Sequence, residues 1–558
     1  MRPDSTETGR AKISWAATDV MAVSNSLAHW NINQEVGLTM HLTQFLNRAA
    51  DLHPNKIASI DGERRHTWSQ WRDRMVRLAA ALRGLGMAAG DRVAILALNG
   101  DRYTEYVYAV WWAGGAVVPM NTRWSPAENA YSLNDSGAQI LFIDRNFVPM
   151  LDAIRSEAKG VQTVIYMGDD AAPEGMLWFE DLVRQSAPCE DARRGGEDLA
   201  GLFYTGGTTG FPKGVMLPHR ALWYNAMAMA VELPMDREMT WLHGAPMFHL
   251  ADFGSNMGVA MVGGCNVYIP SFAPEAALQA IETHGVSSTI LVPTMLSMIM
   301  AHPGFKPERL TSLNWFLYGA SPMPEGLLRQ ALEAVPHVSF FQGYGQTEMA
   351  PSISVLKPED HVLEGPETGR LRSAGRPVVG CEIKIIDEDG NTVPRGTVGE
   401  IAALSPGAMQ GYWNLPEQTA KTLVDGWVHT GDGAYQDEDG YIYIVDRMKD
   451  MIVSGGENVF SAEVESAIST HPDVASVAVI GIPSEQWGEA VHAIIIPKPG
   501  ASPEEARIIE HCKALIAGYK CPRSITVRTD PFPLSGAGKV LKRELRAPYW
   551  EGRVRNVN

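Results

Sequence analysis

Short apolar runs alternate with amphipathic segments of helical length over roughly residues 65 to 290. The apolar run at 93–100, for example, is followed by a helical pattern at 102–115. Strands that alternate with helices in this way are typical of βαβ units around a largely parallel sheet. A second series of apolar runs lies at 287–293, 314–321 and 338–345. The sequence therefore predicts two sheet-containing lobes, with functional residues in the loops at the strand ends.

The pattern changes after Cys381. Alternating apolar and polar positions and an Asp-Gly turn predict an antiparallel meander or small barrel that ends near Val445. Beyond Asp446 a glycine-rich turn is followed by two helical patterns, at 461–470 and 503–517, and by strand patterns at 474–482 and 490–497. This mixture predicts a separate, smaller α+β domain.

These patterns divide the chain into three parts. Residues 1–39 are polar and poorly patterned, and we interpret them as a flexible N-terminal arm; a mis-assigned start and a targeting segment are the alternatives. An amphipathic run from Met40 opens a large N-terminal domain over 40–446, and residues 447–558 form the C-terminal domain. The predicted fold class is α/β, with two α/β sheet lobes and a small β-barrel-like lobe in the large domain and a small α+β domain after it.

Composition and charge exclude several classes of protein. The chain has 558 residues, of which 45% are hydrophobic and 20% charged, so it is neither disordered nor fibrous. Its formal net charge of −17 repels polyphosphate at long range. Any nucleotide must therefore be held by a local site, and no nucleic-acid partner is expected.

Cysteine usage and hydropathy bear on the compartment. The five cysteines are scattered and show no CxxC spacing, so neither a disulfide framework nor a zinc cluster is indicated. No apolar stretch reaches the roughly 20 residues of a membrane span, and no signal core follows the N-terminus. We expect a cytoplasmic protein without an integral membrane segment. A homodimer is an option on general grounds only.

The strongest chemical signal is the segment from Tyr204 to Gly214, YTGGTTGFPKG, which follows an apolar run and precedes a helical pattern. Its clustered glycines allow backbone amides to converge on an anion, and its threonines and lysine add hydroxyl donors and a cation. The segment is not a P-loop, because Gly214 rather than Ser or Thr follows Lys213. The composition favours a phosphate site.

This segment resembles the phosphate-binding signature of the acyl-adenylate-forming superfamily, which includes acyl-CoA synthetases, adenylation domains of peptide synthetases and beetle luciferases. The usual signature has Ser where this chain has Gly206, so the phosphate contact there would come from the backbone amide. Later motifs follow in the family's order, and the resemblance extends from about residue 40 over nearly the whole chain. It implies that phosphate is bound by Thr205, Gly206, Gly207, Thr208, Thr209, Gly210 and Lys213.

The segment GYGQTE, residues 343–348, resembles the family's adenine and magnesium motif. Tyr344 offers a flat face for a purine, Thr347 a hydroxyl, and Glu348 a carboxylate able to hold Mg²⁺ against phosphate oxygens. Backbone at Gly343 and Gly345 would approach the nucleotide. The earlier segment that resembles the family's adenine and acyl-pocket strand is Gly319, Ala320 and Ser321.

Charged residues around the domain boundary match further family positions. Asp432, which we expect at the end of a strand, would accept hydrogen bonds from ribose hydroxyls. The resemblance implies that Arg447 contacts ribose and phosphate and that Lys449 is the hinge about which the small domain is mobile. It also implies that the turn at Gly455 and Gly456 borders the pantetheine tunnel for coenzyme A.

Near the C-terminus, the segment PLSGAGK places Lys539 on a glycine-flanked loop. The resemblance implies that Lys539 bridges the carboxylate and the α-phosphate during adenylation. A lone lysine in a tail is otherwise most often solvent-facing. Lys542 stands where the family more commonly has Arg.

The acid site carries the weakest sequence signal. The segment PMFH resembles a family segment in which the residue at His249 borders the acid, although a core or helix-start histidine is the alternative. Amino-acid-activating relatives place an Asp at a position aligned with His249, so an α-amino acid is disfavoured. Trp241, Phe253 and Met257 either line a pocket or fill the core, and His219 and His243 are interpreted as structural.

These residues imply an AMP-forming carboxylic acid:CoA ligase that uses ATP, Mg²⁺ and coenzyme A. Thr208, Glu348, His249 and Lys539 are the expected catalytic residues, and a medium or long fatty acid is the favoured substrate. An aryl or aryl-alkanoic acid, or a stand-alone enzyme that loads a carrier protein, is the alternative. A luciferase-like oxygenase and a degenerate nucleotide sensor are further rivals; the sensor is disfavoured because the expected charged residues are present.

Overall fold

A computed structural model describes residues 40–205, 212–447, 450–455, 457–534 and 540–551, with the side chain of Arg447 excluded. The arm at 1–39 lies outside the described residues. So do several expected site residues, namely Gly206, Gly207, Thr208, Thr209, Gly210, Lys449, Gly456 and Lys539.

The first lobe is built on an eight-stranded sheet. Its central strands are short, buried and apolar, and they pair in parallel, as expected for βαβ units. In chain order the strands are β3 (Arg92–Leu96), β4 (Ala116–Pro119), β5 (Ile140–Ile143), β6 (Thr163–Tyr166), β7 (Leu177–Trp178), β8 (Leu199–Thr205), β9 (Lys213–Pro218) and β19 (Gly411–Tyr412). The helices of this part are α1 (Thr43–Leu52), α2 (Trp68–Gly84), α3 (Asp101–Ala113), α4 (Pro126–Ser136), α5 (Leu151–Glu157) and α6 (Phe179–Gln185).

The second lobe is built on a nine-stranded sheet, so the two predicted sheet lobes are confirmed. Parallel pairing runs from β11 through β10, β12 and β13 to β14, and antiparallel strands lie at the edges. Its strands are β1 (Ile57–Asp61), β2 (Arg64–Thr67), β10 (Thr240–His243), β11 (Cys265–Tyr268), β12 (Ser288–Leu291), β13 (Trp315–Gly319), β14 (Ser339–Gly345), β15 (Ser352–Leu356) and β16 (Arg376–Pro377). Its helices are α7 (His219–Glu232), α8 (Leu250–Val262), α9 (Pro274–His284), α10 (Pro293–Met300) and α11 (Glu325–Ala334).

The predicted antiparallel meander forms a third sheet. Its elements are β17 (Glu382–Ile386), β18 (Gly399–Leu404), β20 (Leu423–Val424), β21 (Trp427–Gln436) and β22 (Ile442–Arg447), with α12 (Pro416–Thr422) between them. One expectation is wrong here. Asp432 does not end a strand but lies within the ten-residue β21, next to a register shift at Gly433. The strand continues because β22 pairs with it beyond that irregularity.

A fourth sheet follows, with helices packed against it, as predicted for the C-terminal α+β region. Its strands are β23 (Ile452–Ser454), β24 (Glu457–Val459), β25 (Val474–Ser484), β26 (Gly488–Pro497) and β27 (Ser524–Val527). Its helices are α13 (Ser461–Ser469), α14 (Glu505–Lys513) and α15 (Lys542–Arg546). The helix α14 is shorter than the 503–517 pattern indicated. In the described part of the chain no helix has the length and apolarity needed to cross a bilayer.

Candidate active site

A cavity of about 1380 Å³ opens where the loops of the two large sheets meet the third sheet and the C-terminal segment. Most of the described site residues that the sequence predicts line it. These are Thr205, Lys213, His249, Gly319, Ala320, Gly343, Tyr344, Gly345, Thr347 and Glu348. Ser321, Asp432 and Gly455 do not line it, although Thr430 and Gly431 beside Asp432 do.

The predicted phosphate segment is a β-hairpin. Strands β8 and β9 pair in antiparallel fashion, and Thr205 faces Lys213 at the base of the loop. The loop itself, 206–211, lies outside the described residues. Pairing of its two ends delivers both residues to the cavity wall.

Lys213 and Glu348 are connected through a residue that the sequence did not single out. The ammonium nitrogen of Lys213 lies 5.0 Å from the ring centroid of Tyr412, within cation–π range. The Tyr412 hydroxyl donates a 2.7 Å hydrogen bond to Oε1 of Glu348. Burial, with the charge of Glu348 adding to it, raises the pKa of Tyr412, so this hydroxyl stays protonated and donates. No local motif marks Tyr412, because only the pairing of β19 with β9 brings it here.

Glu348 fits the magnesium role in its donor chemistry. One carboxylate oxygen is oriented by Tyr412, and Glu348 lines the same cavity as Lys213. Among the described residues no group of three or more His, Cys, Asp or Glu side chains could hold a metal alone. Mg²⁺ is commonly bound through one or two carboxylates together with phosphate oxygens and water, so a single carboxylate is compatible with it.

The adenine and ribose motifs are joined by a direct contact. The Tyr344 hydroxyl donates a 2.8 Å hydrogen bond to Oδ2 of Asp432, and Asp432 is 8% exposed. Arg447 pairs with Asp432 across β21 and β22, so the two expected ribose residues are neighbours in the sheet. Sequence positions 344, 432 and 447 therefore converge on one place.

The close packing of β13 against β14 explains why glycine stands at position 319. A Cβ atom on Gly319 would lie 2.1 Å from the carbonyl oxygen of Gly343, its partner in the parallel ladder. The next residue, Ala320, has a φ of +65°, a left-handed conformation that is uncommon for residues other than glycine. The backbone is thus held where a flat ligand can approach it.

The described residues on either side of the 535–539 segment line the cavity. Lys539 lies outside the described residues, but Leu534 and Val540 on either side of it form a bridge, and both line the cavity with Lys542. Lys542 makes a 2.7 Å ion pair with Glu465 and a short hydrogen bond to Ser461. The negative charges of Glu465 and Asp446 raise the pKa of Lys542 against the opposing effect of its burial. Lys542 thus fixes the base of this loop.

Asp446 lies at the end of the third sheet, and Gly455 lies in the turn between β23 and β24 of the fourth sheet. Asp446 accepts hydrogen bonds from the backbone amide and hydroxyl of Ser461, at 2.7 and 2.6 Å, at the start of α13. Gly455 has a φ of +66°, and a Cβ atom there would lie 2.8 Å from the ring of Trp487. Both the conformation and the contact require glycine.

A largely apolar side of the cavity lies between α7 and α8, where the acid is expected from the sequence. Its walls include Ala226 and Met229 from α7, Gly254 and Gly258 from α8, and Trp241 from β10. One polar pair lies in this wall, since the Ser352 hydroxyl donates a 2.7 Å hydrogen bond to Oδ1 of Asn225.

The remaining residues that the sequence left open or assigned to structure can now be placed. Phe253 and Met257 are buried in the hydrophobic core and do not line the cavity. His243 is buried between Asp252 and Asn266, at 3.0 and 2.9 Å. His219 is buried beside Trp111. His249, by contrast, borders the cavity directly before α8.

Two family matches cover most of the chain. The AMP-binding enzyme family matches residues 46–413, and the AMP-binding enzyme C-terminal domain matches residues 463–539. A fatty acid–[acyl-carrier-protein] ligase, ScoC, of Streptomyces coeruleorubidus is 35% identical over 93% of this chain and 98% of its own length. A feruloyl-CoA synthase of an Amycolatopsis species is 37% identical over 90% of this chain and 98% of its own length.

A solved structure shows the same architecture. The anthranilate CoA ligase AuaEII, determined with anthranoyl-AMP, aligns with a TM-score of 0.85 and 29% identity over 92% of this chain and 98% of its own. Fold, site and relatives agree with the resemblance drawn from the motifs. The chain therefore belongs to the AMP-binding enzyme family, within the acyl-adenylate-forming superfamily, and is an AMP-forming acid–thiol ligase of the acyl-CoA synthetase type.

Proposed function

We propose that this enzyme joins an apolar carboxylic acid of medium length to coenzyme A through an acyl-adenylate. The observation that carries the proposal is the continuity of the cavity. The same cavity is lined by nucleotide-motif residues, such as Tyr344 and Glu348, and by the apolar wall between α7 and α8. A nucleotide and an apolar acid can therefore lie in contact inside it.

The chemistry follows from a carboxylate being a poor electrophile. A carboxylate oxygen attacks the α-phosphorus of ATP, the new O–P bond forms, and the bond to pyrophosphate breaks. The sulfur of coenzyme A then attacks the acyl carbon, the C–O bond to AMP breaks, and the thiol proton is released to solvent. Positioning and charge neutralisation supply most of the rate in such phosphoryl chemistry, and no protein nucleophile is required.

The chain's own residues divide these tasks. Lys213 and the threonines of the 205–209 loop hold the phosphates, while Asp432 and Tyr344 orient the nucleoside. Lys539 neutralises charge that develops between the carboxylate and the α-phosphate. Glu348 would hold Mg²⁺, which neutralises the phosphate oxygens when bound. Tyr412 keeps the Glu348 carboxylate oriented toward them.

We further propose that the boundary near residue 446 separates an N-terminal adenylation domain from a C-terminal domain that rotates about Lys449. The residues that flank Lys539 line the cavity, whereas Gly455 does not. A single placement of the C-terminal domain would thus bring only one of these two segments, that of Lys539 or that of Gly455, to the cavity. Thioester formation requires a second placement, in which the turn at 455–456 borders the coenzyme A thiol.

We expect an apolar acid because most of the cavity wall between α7 and α8 is apolar, and Trp241 adds a flat aromatic surface to this wall. The relatives include enzymes named for fatty acids, ferulate and anthranilate. Either a straight-chain acid or an aryl-alkanoic acid can pack against this apolar wall. The experiment is a pyrophosphate-release screen with ATP, Mg²⁺ and coenzyme A across acids of graded length and aromaticity. Preference for a highly polar or amino acid would contradict the proposal.

Loading of a carrier protein is the second candidate, favoured by the likeness to the carrier-protein ligase ScoC. The two candidates differ only in the thiol. Formation of thioester from free coenzyme A, without any added protein, supports the first. A requirement for a phosphopantetheinylated carrier protein supports the second.

A further inference from the structure

The acid side of the cavity follows helix α8 away from the nucleotide. His249 stands at the start of α8, which follows the carboxyl end of β10, the edge where Gly319 and Gly343 lie on neighbouring strands. Gly258 lies nine residues after His249, or about 13 Å along the helix axis at 1.5 Å per residue. Both residues line the cavity. The acid pocket therefore extends toward the opposite edge of the sheet.

Met235 lies at that opposite edge. It belongs to the segment between α7 and β10, which precedes the amino end of β10. Met235 lines the cavity and is half-buried, and its backbone amide donates a 2.7 Å hydrogen bond to the carbonyl of Leu233, which fixes a tight bend. Met235 therefore presents part of its surface to the pocket at this bend.

The end of the Met235 side chain occupies space beside Gly258 that a Cβ atom would take. A Cβ atom on Gly258 would lie 2.6 Å from the Met235 methyl carbon and 3.4 Å from its sulfur. The thioether therefore rests against the bare backbone of α8. Gly258 does not have a positive φ, so no backbone conformation demands glycine here. The contact with the Met235 side chain is the reason for glycine at this position that the structure shows.

We propose that Met235, seated against Gly258, closes the end of the acid pocket and limits the length of the acid. This inference rests on the proposed function and specifies the substrate class within it. The acid is one whose apolar end reaches about 13 Å from His249, the span set by α8. A medium-length straight-chain acid or an aryl-alkanoic acid fits this span, and a long-chain acid meets the thioether. The Met235 side chain is flexible and unbranched, which suits a stop that adapts to small differences in the ligand.

The test is a cycle of two substitutions with a matched control. Met235→Ala removes the stop and should shift the preference, measured as kcat/KM for thioester formation, toward longer straight-chain acids by about tenfold relative to the best wild-type acid. Gly258→Ala adds a methyl group beneath the thioether, pushes it into the pocket, and should shift the preference toward shorter acids. In the Met235→Ala background the Gly258→Ala change should lose most of its effect, because the atom it would strike is gone.

Met227→Ala is the control, since Met227 lies on α7, is 38% exposed and does not line the cavity. It should leave the order of preference unchanged. If Met235→Ala does not fold, Gly258→Ala alone tests the stop, because alanine is a better helix former than glycine and should not weaken α8.

The outcomes separate the two claims. Thioester formed by the wild type with an unchanged order of acids in Met235→Ala or Gly258→Ala overturns the length assignment and leaves the proposed function standing. Additive effects of the two substitutions also overturn it, because they would show no contact between positions 235 and 258. No thioester from any acid in the wild type overturns the proposed function, and the length assignment with it.

Discussion

The hydroxyl of Tyr412 donates a 2.7 Å hydrogen bond to Oε1 of Glu348, 64 positions away in the sequence. The ring of Tyr412 also lies against the Lys213 ammonium group. Tyr412 thus contacts both the expected magnesium carboxylate and the lysine of the phosphate hairpin. It therefore links a negative and a positive group that, in the proposed function, act on the same triphosphate.

Tyr412→Phe should lower adenylation. It keeps the ring beside Lys213 and removes only the hydrogen bond to Glu348, so the carboxylate loses a charge-assisted contact of about 1.5 to 3 kcal/mol. We expect pyrophosphate release to fall by tenfold or more and the requirement for Mg²⁺ to rise. Tyr441→Phe is a matched control, because the Tyr441 hydroxyl donates to Asp360 at 2.6 Å and neither residue lines the cavity. Equal losses in both variants would show that the effect is structural.

His249→Ala should change which acids are used while leaving the fold intact. His249 borders the cavity at the start of α8, and its side chain is only partly buried. We expect a changed order of kcat/KM among acids of different size, with thermal stability within about 1 kcal/mol of the wild type. A large drop in melting temperature with an unchanged order of acids would show that the role of His249 is structural.

Acid should destabilise the fold in part through His361. Burial lowers the pKa of His361 from 6.5 to about 4. The unfolded chain therefore gains this proton as the pH falls below 6.5, while the folded chain does not until about pH 4. This difference in proton binding is absent above pH 6.5. As the pH falls it lowers the free energy of unfolding, by about 3 kcal/mol at pH 4.

His361→Gln should reduce the drop in melting temperature between pH 7 and pH 4.5, because Gln does not titrate. The partly exposed His302 supplies the control substitution, His302→Gln. An equal drop in the wild type and His361→Gln would contradict the assignment. His361 is also close to the cavity, because its Nε2 lies 2.9 Å from the hydroxyl of Tyr318, the residue before Gly319.

The two half-reactions should be separable by substitution. Lys539→Ala should block acyl-adenylate formation but still convert supplied acyl-adenylate and coenzyme A into thioester. Lys449→Pro should do the reverse, because proline fixes φ near −65° at the position where rotation needs a dihedral change. Pyrophosphate release without coenzyme A measures the first half, and thioester yield from synthetic adenylate the second. A variant that is folded but loses both halves equally would refute the division.

Much of the fold could be predicted because its signals are local. The βα alternation of the two large lobes and the Asp-Gly turn of the third sheet are properties of short windows, and the corresponding sheets are observed. Strand ends were less reliable. Asp432 was expected at a strand end, yet pairing with Arg447 on β22 extends β21 past it.

Clustered motifs did identify cavity-lining residues, namely those at 343–348 and the described ends of the first motif, Thr205 and Lys213. The site was not predictable where a single side chain arrives from a distant strand. Tyr412 lies in the two-residue β19, which reaches the site only by pairing with Val215 and Met216 on β9. Met235 has no motif either, and its position against Gly258 depends on the packing of α8.

Formation of the acyl-adenylate before the thioester can be measured directly. The wild-type enzyme is incubated with ATP, Mg²⁺ and its preferred acid without coenzyme A, quenched, and assayed for acyl-adenylate and pyrophosphate; coenzyme A is then added to a parallel sample. We expect enzyme-bound acyl-adenylate in an amount equal to the pyrophosphate released, followed by its conversion into acyl-CoA and AMP. Hydrolysis of ATP to ADP and phosphate, or thioester formed without an adenylate, would refute the proposed two-step reaction.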